Sequence, residues 1–222
     1  MLIAGQSEQK SSGSSGKIAD GVYGKRGVIT AIKQIPGKEL GNYKPDVYIE
    51  FTVKSGAYDN TVTMFGHFNR DDMTQKVTGW GLASRIDQTF ARFGAYEGLT
   101  DDQKALDGVM FKQDVFDNMI GKPAFFLSYV YGRQRAKDKP AYRNYGYLLS
   151  LDESLSDEDH FKVIYDVLQG DSYAMKQVSE GRSYLRESQD RYESSKTNNS
   201  TNTTELAYGT PTASASSDDL MF

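Results

Sequence analysis

The sequence has no cysteine. That excludes disulfides, thiolate metal sites and cysteine nucleophiles, and it agrees with a reducing compartment. No apolar run approaches the about 18–20 residues that a membrane helix needs. The opening MLIAGQSEQK lacks the apolar centre of a signal peptide. The expectation is an intracellular, cytoplasmic protein with no membrane contact. Histidine is scarce too: His67 and His160 lie too far apart in sequence for a zinc motif. None of the pairs Gly16-Lys17, Gly24-Lys25, Gly37-Lys38 and Gly121-Lys122 is followed by Ser or Thr, so there is no P-loop, and no G-x-S-x-G elbow occurs. Asp157, Glu158, Asp159 and His160 could be drawn as a metal cluster, but Ser156 just before them makes helix capping the simpler reading. We therefore expect no enzyme, no cofactor and no metal. A nuclease built on scattered carboxylates is the minor alternative.

Charge is unevenly distributed. Residues 17–152 carry 19 Lys and Arg against 16 Asp and Glu, whereas residues 153–222 carry 6 against 13. A mildly basic body is joined to an acidic C-terminal part. The cations gather in Gly121–Leu149, where Lys122, Arg133, Arg135, Lys137, Lys139 and Arg143 face a single acid, Asp138. The same window holds Phe125, Phe126, Tyr129, Tyr131, Tyr142, Tyr145 and Tyr147. Two apolar runs, Ala124–Tyr131 and Tyr142–Leu149, flank a polar segment at 132–141, which predicts a hairpin with a basic loop. Cations neutralise phosphates and aromatic faces stack on bases, so this mixture suits a single nucleic-acid strand. An ordinary hairpin with half its aromatics in the core reads equally well from this window alone.

Taken in order, residues 1–16 end in SSGSSG and have the composition of a flexible segment. Gly21–Lys33 predicts a long strand with Val22, Val28, Thr30 and Ile32 on one face, and with Tyr23, Lys25, Ile29 and Lys33 on the other. Gly24 and Gly27 would permit a bulge or coil. Asp46–Val53 alternates: Val47, Ile49, Phe51 and Val53 point inward, while Tyr48, Glu50 and Thr52 point outward. A turn at Ser55–Asn60 leads to a third strand, Thr61–Phe68, with Val62, Met64 and Phe68 inward. That puts Tyr48, Phe65 and His67 on one exposed sheet face. An exposed Phe costs transfer free energy. A stacked base, a covering helix or a slipped register would each explain it.

Helical spacing of Trp80, Ala83, Ile86, Phe90 and Phe93 predicts a core-facing helix over Gly79–Phe93, ended by Gly94. Thr100 to Gln103 resembles a capping box, and Asp114–Ile120 a short helix stopped by Gly121. After the hairpin, Ser156 starts a helix with an apolar stripe of Phe161, Ile164, Tyr165 and Leu168, and Tyr173–Tyr192 continues as a more polar one. These helices pack on the body or form a contact between protomers. From Glu193 the composition is that of a disordered tail. It ends in Asp218, Asp219, Leu220, Met221 and Phe222, two acids followed by three large apolar residues, which suits a tethered peptide that docks on partner proteins.

The fold class expected is mainly β (α+β). Three strands, a helical insertion and two more strands is the order of the five-stranded OB-fold barrel. The domains expected are a flexible segment at 1–16, the barrel at 17–152, a helical extension at 153–192 and the tail at 193–222. The predicted exposed face and the predicted basic loop fall on the elements with which that fold binds single strands.

With these features in place, the layout of residues 17–150 together with Asp218, Asp219 and Phe222 resembles the single-stranded DNA-binding proteins of bacteriophages and, in general plan, of bacteria. The start of the fourth strand at Gly121-Lys122-Pro123 and the run Tyr145-Gly146-Tyr147 are similar to small phage replication proteins of this type. The tip carries two acids, fewer than is usual there, and the insertion Asp71–Ile120 exceeds the minimal fold. The resemblance implies coating of DNA in phage replication, recombination or repair, in the cytoplasm of an infected bacterium. It also implies that the tip contacts replication or recombination proteins. The nucleic-acid-binding residues expected are Lys25, Tyr48, Phe65, His67, Tyr129, Tyr131, Arg133, Arg135, Lys137, Lys139, Arg143 and Tyr145, with homo-oligomerisation left open. The competing readings are a protein-interaction or structural module and an RNA-binding protein.

Overall fold

The structure, a computed structural model, describes residues 2–6, 21–36, 39–40, 42–105, 108–136 and 139–201; over 132–136, 139–140, 188, 192 and 195–201 it describes the backbone alone. The described chain forms strands β1 (Val22–Gln34), β2 (Val47–Ser55), β3 (Tyr58–Gly66), β4 (Asn69–Arg70) and β5 (Val77–Gly79), then helices α1 (Ser84–Arg92), α2 (Asp101–Lys104) and α3 (Gln113–Asp117). Strands β6 (Pro123–Ala136), β7 (Lys139–Asn144) and β8 (Leu149–Ser150) follow, and then helices α4 (Asp157–Gln169) and α5 (Ser172–Thr201).

The alternation in β2 and β3 works out as the pattern requires. Val47, Ile49, Phe51, Val53 and Val62 are 0% exposed, and Met64 is buried with them. A two-residue turn beginning at Gly56 (φ +59°) joins the strands, tighter than the turn expected at Ser55–Asn60. Strand β1 is shared. Val28–Gln34 pair antiparallel with β2, and Val22–Val28 pair antiparallel with β6. The main strand order is therefore β3-β2-β1-β6-β7. The Asn144 side-chain amide donates to Thr61 O at 2.9 Å, bringing β7 back to β3. The result is a nearly closed antiparallel, barrel-like sheet of five strands, with an insertion holding α1–α3 between β3 and β6.

The face assignment of β1 needs correction. Ile29 and Ile32 are both buried, whereas Val28 is exposed. The register slips between Ile29 and Ala31, and one extra residue reverses every side chain beyond it. The bulge is not at Gly24 or Gly27. A Cβ on Gly24 would run into the rings of Phe125 and Phe161, so that glycine makes room for aromatics.

The insertion covers the barrel interior. Phe90 of α1 meets Phe51 edge-on, 6.1 Å between centroids, and Ala83, Ile86 and Phe93 are buried with it. Gly94 ends the helix in the left-handed region (φ +61°). Its N–H reaches Ala91 O, and the Ala95 N–H reaches Phe90 O, both at 2.9 Å. The capping box at Thr100 and Gln103 forms.

On the outside of β6 lies α4, capped by Ser156, whose hydroxyl accepts from the Asp159 N–H. His160 is fully buried, stacked 5.6 Å from Phe125. Helix and interior together bury β6 on both faces from Ala124 to Val130. The opening residues, expected to be flexible, are packed where they are described. Ala4 is buried, its N–H bonds Lys104 O at 3.1 Å, and the Gly5 N–H donates to the buried Asp87 carboxylate at 2.7 Å.

By internal contacts the chain divides into two units, Met1–Leu185 and Arg186–Phe222. The described part of the second is helical through Thr201, past the point at Glu193 where composition ends the expected order. Among the described residues no helix is long and apolar enough to cross a membrane.

Candidate functional site

The outer face of β2–β3 carries an aromatic cluster. Phe65 lies parallel to Tyr48, 6.0 Å between centroids and 9° between planes. Strand pairing makes this contact, since Tyr48 is directly opposite Phe65. Tyr43, from the loop before β2, joins them at 5.9 Å from Phe65 and 5.8 Å from His67. The Tyr43 hydroxyl and His67 Nδ1 are 2.9 Å apart, within hydrogen-bond distance. Backbone hydrogen bonds between Leu40 and Tyr43 hold the loop in place. Burial, and then the negative charge of Asp46, push the Tyr43 phenol above its ordinary pKa, so at neutral pH it is an uncharged hydrogen-bonding group.

Within this cluster the residues differ in access. Phe65 is 48% exposed, His67 is half-buried, and Tyr48 is buried at 6%. The expectation that Tyr48 is open to solvent is corrected: it lies on the outer face but is buried. The two parallel rings stand side by side as a platform, and Phe65 is its accessible part. The sequence reading missed Tyr43, because an aromatic in a loop has no periodicity to announce it.

The hairpin residues divide differently. Tyr129 lies opposite Arg143 on β7, and the Arg143 guanidinium sits over the Tyr131 ring, 4.6 Å from its centroid. Arg143 is exposed and Tyr131 half-buried, but Tyr129 is 4% exposed, and burial raises its phenol above the ordinary value against the opposing pull of Arg143. Tyr145 is buried as well. Its hydroxyl lies 3.4 Å from both Arg85 Nη1 and Asp171 Oδ2, tying α1 to the start of α5, and burial again raises its pKa. Tyr129 and Tyr145 are therefore structural: both are buried, and Tyr145 is held between α1 and the start of α5. Lys25 is half-buried on β1, opposite Phe126, on the half of the strand that pairs with β6.

The predicted loop at 132–141 is also corrected. Strand β6 runs on to Ala136 and β7 begins at Lys139, so the segment is largely a two-stranded ribbon. The sequence of this segment shows no apolar alternation, and for that reason it reads as loop. Strand β7 ends at Asn144 rather than continuing to Leu149. Gly146 passes so close to Thr63 O that a Cβ would collide with it, and Leu149–Ser150 then return to pair with Ala124 and Phe125. Arg133, Arg135 and Lys139 lie in the ribbon by backbone, but their side chains fall outside the description. So do Lys137 and the tip residues Asp218, Asp219, Leu220, Met221 and Phe222.

His160 belongs to no reactive site. The Asp152 N–H donates to its Nε2 at 3.0 Å, and its Nδ1 donates to Ser156 O at 2.8 Å, so both ring nitrogens are used in holding the core together. Asp159 is held below the usual carboxylate range by the Ser156 hydroxyl and backbone N–H, as a capping group is. No group of three or more His, Cys, Asp or Glu able to hold a metal occurs among the described residues. In comparisons with known proteins, no family model and no curated protein matches this chain.

Proposed function

We infer that this protein is a sequence-tolerant, non-enzymatic binder of single-stranded DNA, built on an OB-type barrel. The observation that carries the reading is the half-exposed Phe65 ring held parallel beside Tyr48 on the β2–β3 face. A large apolar ring left half in water, held between aromatic neighbours, offers a surface for stacking, and every base has a face to stack on it. Arg143, Lys25 and the basic ribbon supply phosphate contacts. The acidic segment at 218–222 serves as the contact to replication, recombination or repair proteins, in keeping with the phage resemblance of the layout.

The test is a titration with labelled oligo-dT, followed by anisotropy over a salt series, with oligo-rU in parallel. Saturable binding is expected, weakening log-linearly with salt at a slope near about −0.7 per phosphate contact. Oligo-dT is expected to bind more tightly than oligo-rU. No binding at low salt overturns the reading in favour of a protein-interaction module, and tighter binding of oligo-rU makes it an RNA binder. Deleting residues 218–222 should leave DNA affinity equal or higher; a marked fall counts against the role given to that segment.

A further inference from the structure

Beside the aromatic face lies a cavity of about 300 Å³. It is walled by Phe68, Trp80, Met110 and Phe111, with Arg70 and Lys104 contributing positive charge, and no carboxylate occurs among the described residues that line it. Phe68 and Trp80 form a wedge, 5.9 Å between centroids and 47° between planes. Arg70 is fixed there, Nη2 donating to Asp46 at 2.8 Å and Nη1 to Gln75 O at 3.0 Å, which leaves other donors of its guanidinium unused by these bonds. The Lys104 ammonium is 3.9 Å from Asp101, too long for a hydrogen bond.

The cavity adjoins the platform. Phe68 follows His67 directly in the chain, and its N–H donates to Asp46 Oδ2 at 2.9 Å. Asp46 thus joins Phe68 and Arg70, on the cavity side, to the loop that carries Tyr43.

We propose that this cavity receives one nucleotide of the bound strand, its base against Trp80 and Phe68 and its phosphate toward Arg70 and Lys104. The inference rests on the single-strand reading above and adds a subsite that the barrel face alone does not supply. The walls suit that occupant: planar apolar surfaces for a base, two cations for a phosphate, and a volume at the small end of ligand pockets. The narrowness favours a single nucleotide over a run of them.

Trp80 is the only tryptophan in the chain, so its emission reports on this cavity. Oligo-dT is titrated while both the anisotropy of the labelled oligonucleotide and the Trp80 emission are recorded, with acrylamide quenching before and after. Quenching of Trp80 is expected to saturate at the same midpoint as the anisotropy, with reduced acrylamide access. Lys104→Gln should lower the salt slope by about 0.7. Trp80→Leu should weaken binding about tenfold, in line with the loss of one stacked base. Val77→Glu places a carboxylate on an exposed wall position, leaves the core untouched, and should weaken binding while reducing the Trp80 quench. Oligonucleotide binding by anisotropy with Trp80 emission and acrylamide access unchanged, or with Val77→Glu and Lys104→Gln indistinguishable from the parent protein, overturns the subsite while leaving the single-strand reading intact. No oligonucleotide binding at all overturns both.

Discussion

The Phe65 ring stands parallel to the Tyr48 ring, 6.0 Å between centroids, with Phe65 half in water and Tyr48 buried. The two residues should therefore respond differently to truncation. Phe65→Ala removes the exposed surface and is expected to weaken oligo-dT binding about tenfold, corresponding to about 1–3 kcal/mol of base stacking. Its cost in stability should stay near about 1 kcal/mol, because the ring is only half-buried and the aromatic pair is worth about 0.5–1.5 kcal/mol. Tyr48→Ala should lower both binding and stability. Chemical denaturation alongside anisotropy separates the two. Equal stability losses would mean that Phe65 is an ordinary core residue.

His160→Ala should cost about 2–4 kcal/mol of stability, since it opens a cavity beside Phe125 and leaves the Asp152 N–H and Ser156 carbonyl without their side-chain partner. DNA affinity of the folded fraction should be unchanged. A large loss of affinity in a stably folded His160 variant would assign it a role at the interface.

Gly181 on α5 packs against the β6 backbone so closely that a Cβ would overlap Val130 O. Gly181→Ala should therefore destabilise by about 1–3 kcal/mol, despite alanine's better helix propensity. Thermal unfolding decides the sign. A stabilised variant would show that α5 does not sit against β6.

Stability at high pH should fall through the tyrosines. Burial raises Tyr96 and Tyr145, and Asp87 adds to the shift at Tyr96. A phenol whose folded pKa is raised favours the native state fully below its unfolded value of about 10, and that contribution is lost as pH climbs through the folded value. Ultraviolet titration should show fewer tyrosines ionising near pH ~10 in native than in denatured protein. The remainder should ionise only together with unfolding. Reversible ionisation of every tyrosine near pH ~10 in folded protein would contradict the burial of these rings.

At the other end of the scale, Ser156→Ala should raise the depressed Asp159 pKa toward its usual value and cost about 1 kcal/mol of helix capping. The native group is held low, so its contribution is present above the unfolded carboxylate value and disappears as pH falls through the folded one. Carboxyl-resolved NMR titration of the two proteins reads the shift directly.

What the sequence revealed follows from how each element is buried. Strands β2 and β3 are apolar on one side, so their alternation predicted the inward residues from Val47 to Met64 and placed Phe65 outward, whereas Phe68, expected inward on the third strand, lies beyond its end at Gly66 and is half-buried. Strand β6 is covered by α4 outside and by the core within. Its aromatics therefore looked available in the sequence, while Tyr129 and the neighbouring Tyr145 are buried. In β1 the bulge after Ile29 has no glycine to mark it, and the face assignment failed there. Tyr43 and the packed residues at the chain's start lie outside any periodic element. Only long-range contacts, to His67 and Asp87, give them a role.

Strand β1 belongs to both halves of the sheet, pairing through Val28–Gln34 with β2 and through Val22–Val28 with β6. The β2–β3 hairpin can zip locally, but the first half of β1, Val22–Val28, must wait for partners from beyond the whole insertion. During synthesis, its edge toward β6 stays unpaired until residues past Tyr129 have left the ribosome. Chain released early, or cut within the insertion, would display that open edge. Two such fragments should regain the sheet only by finding each other.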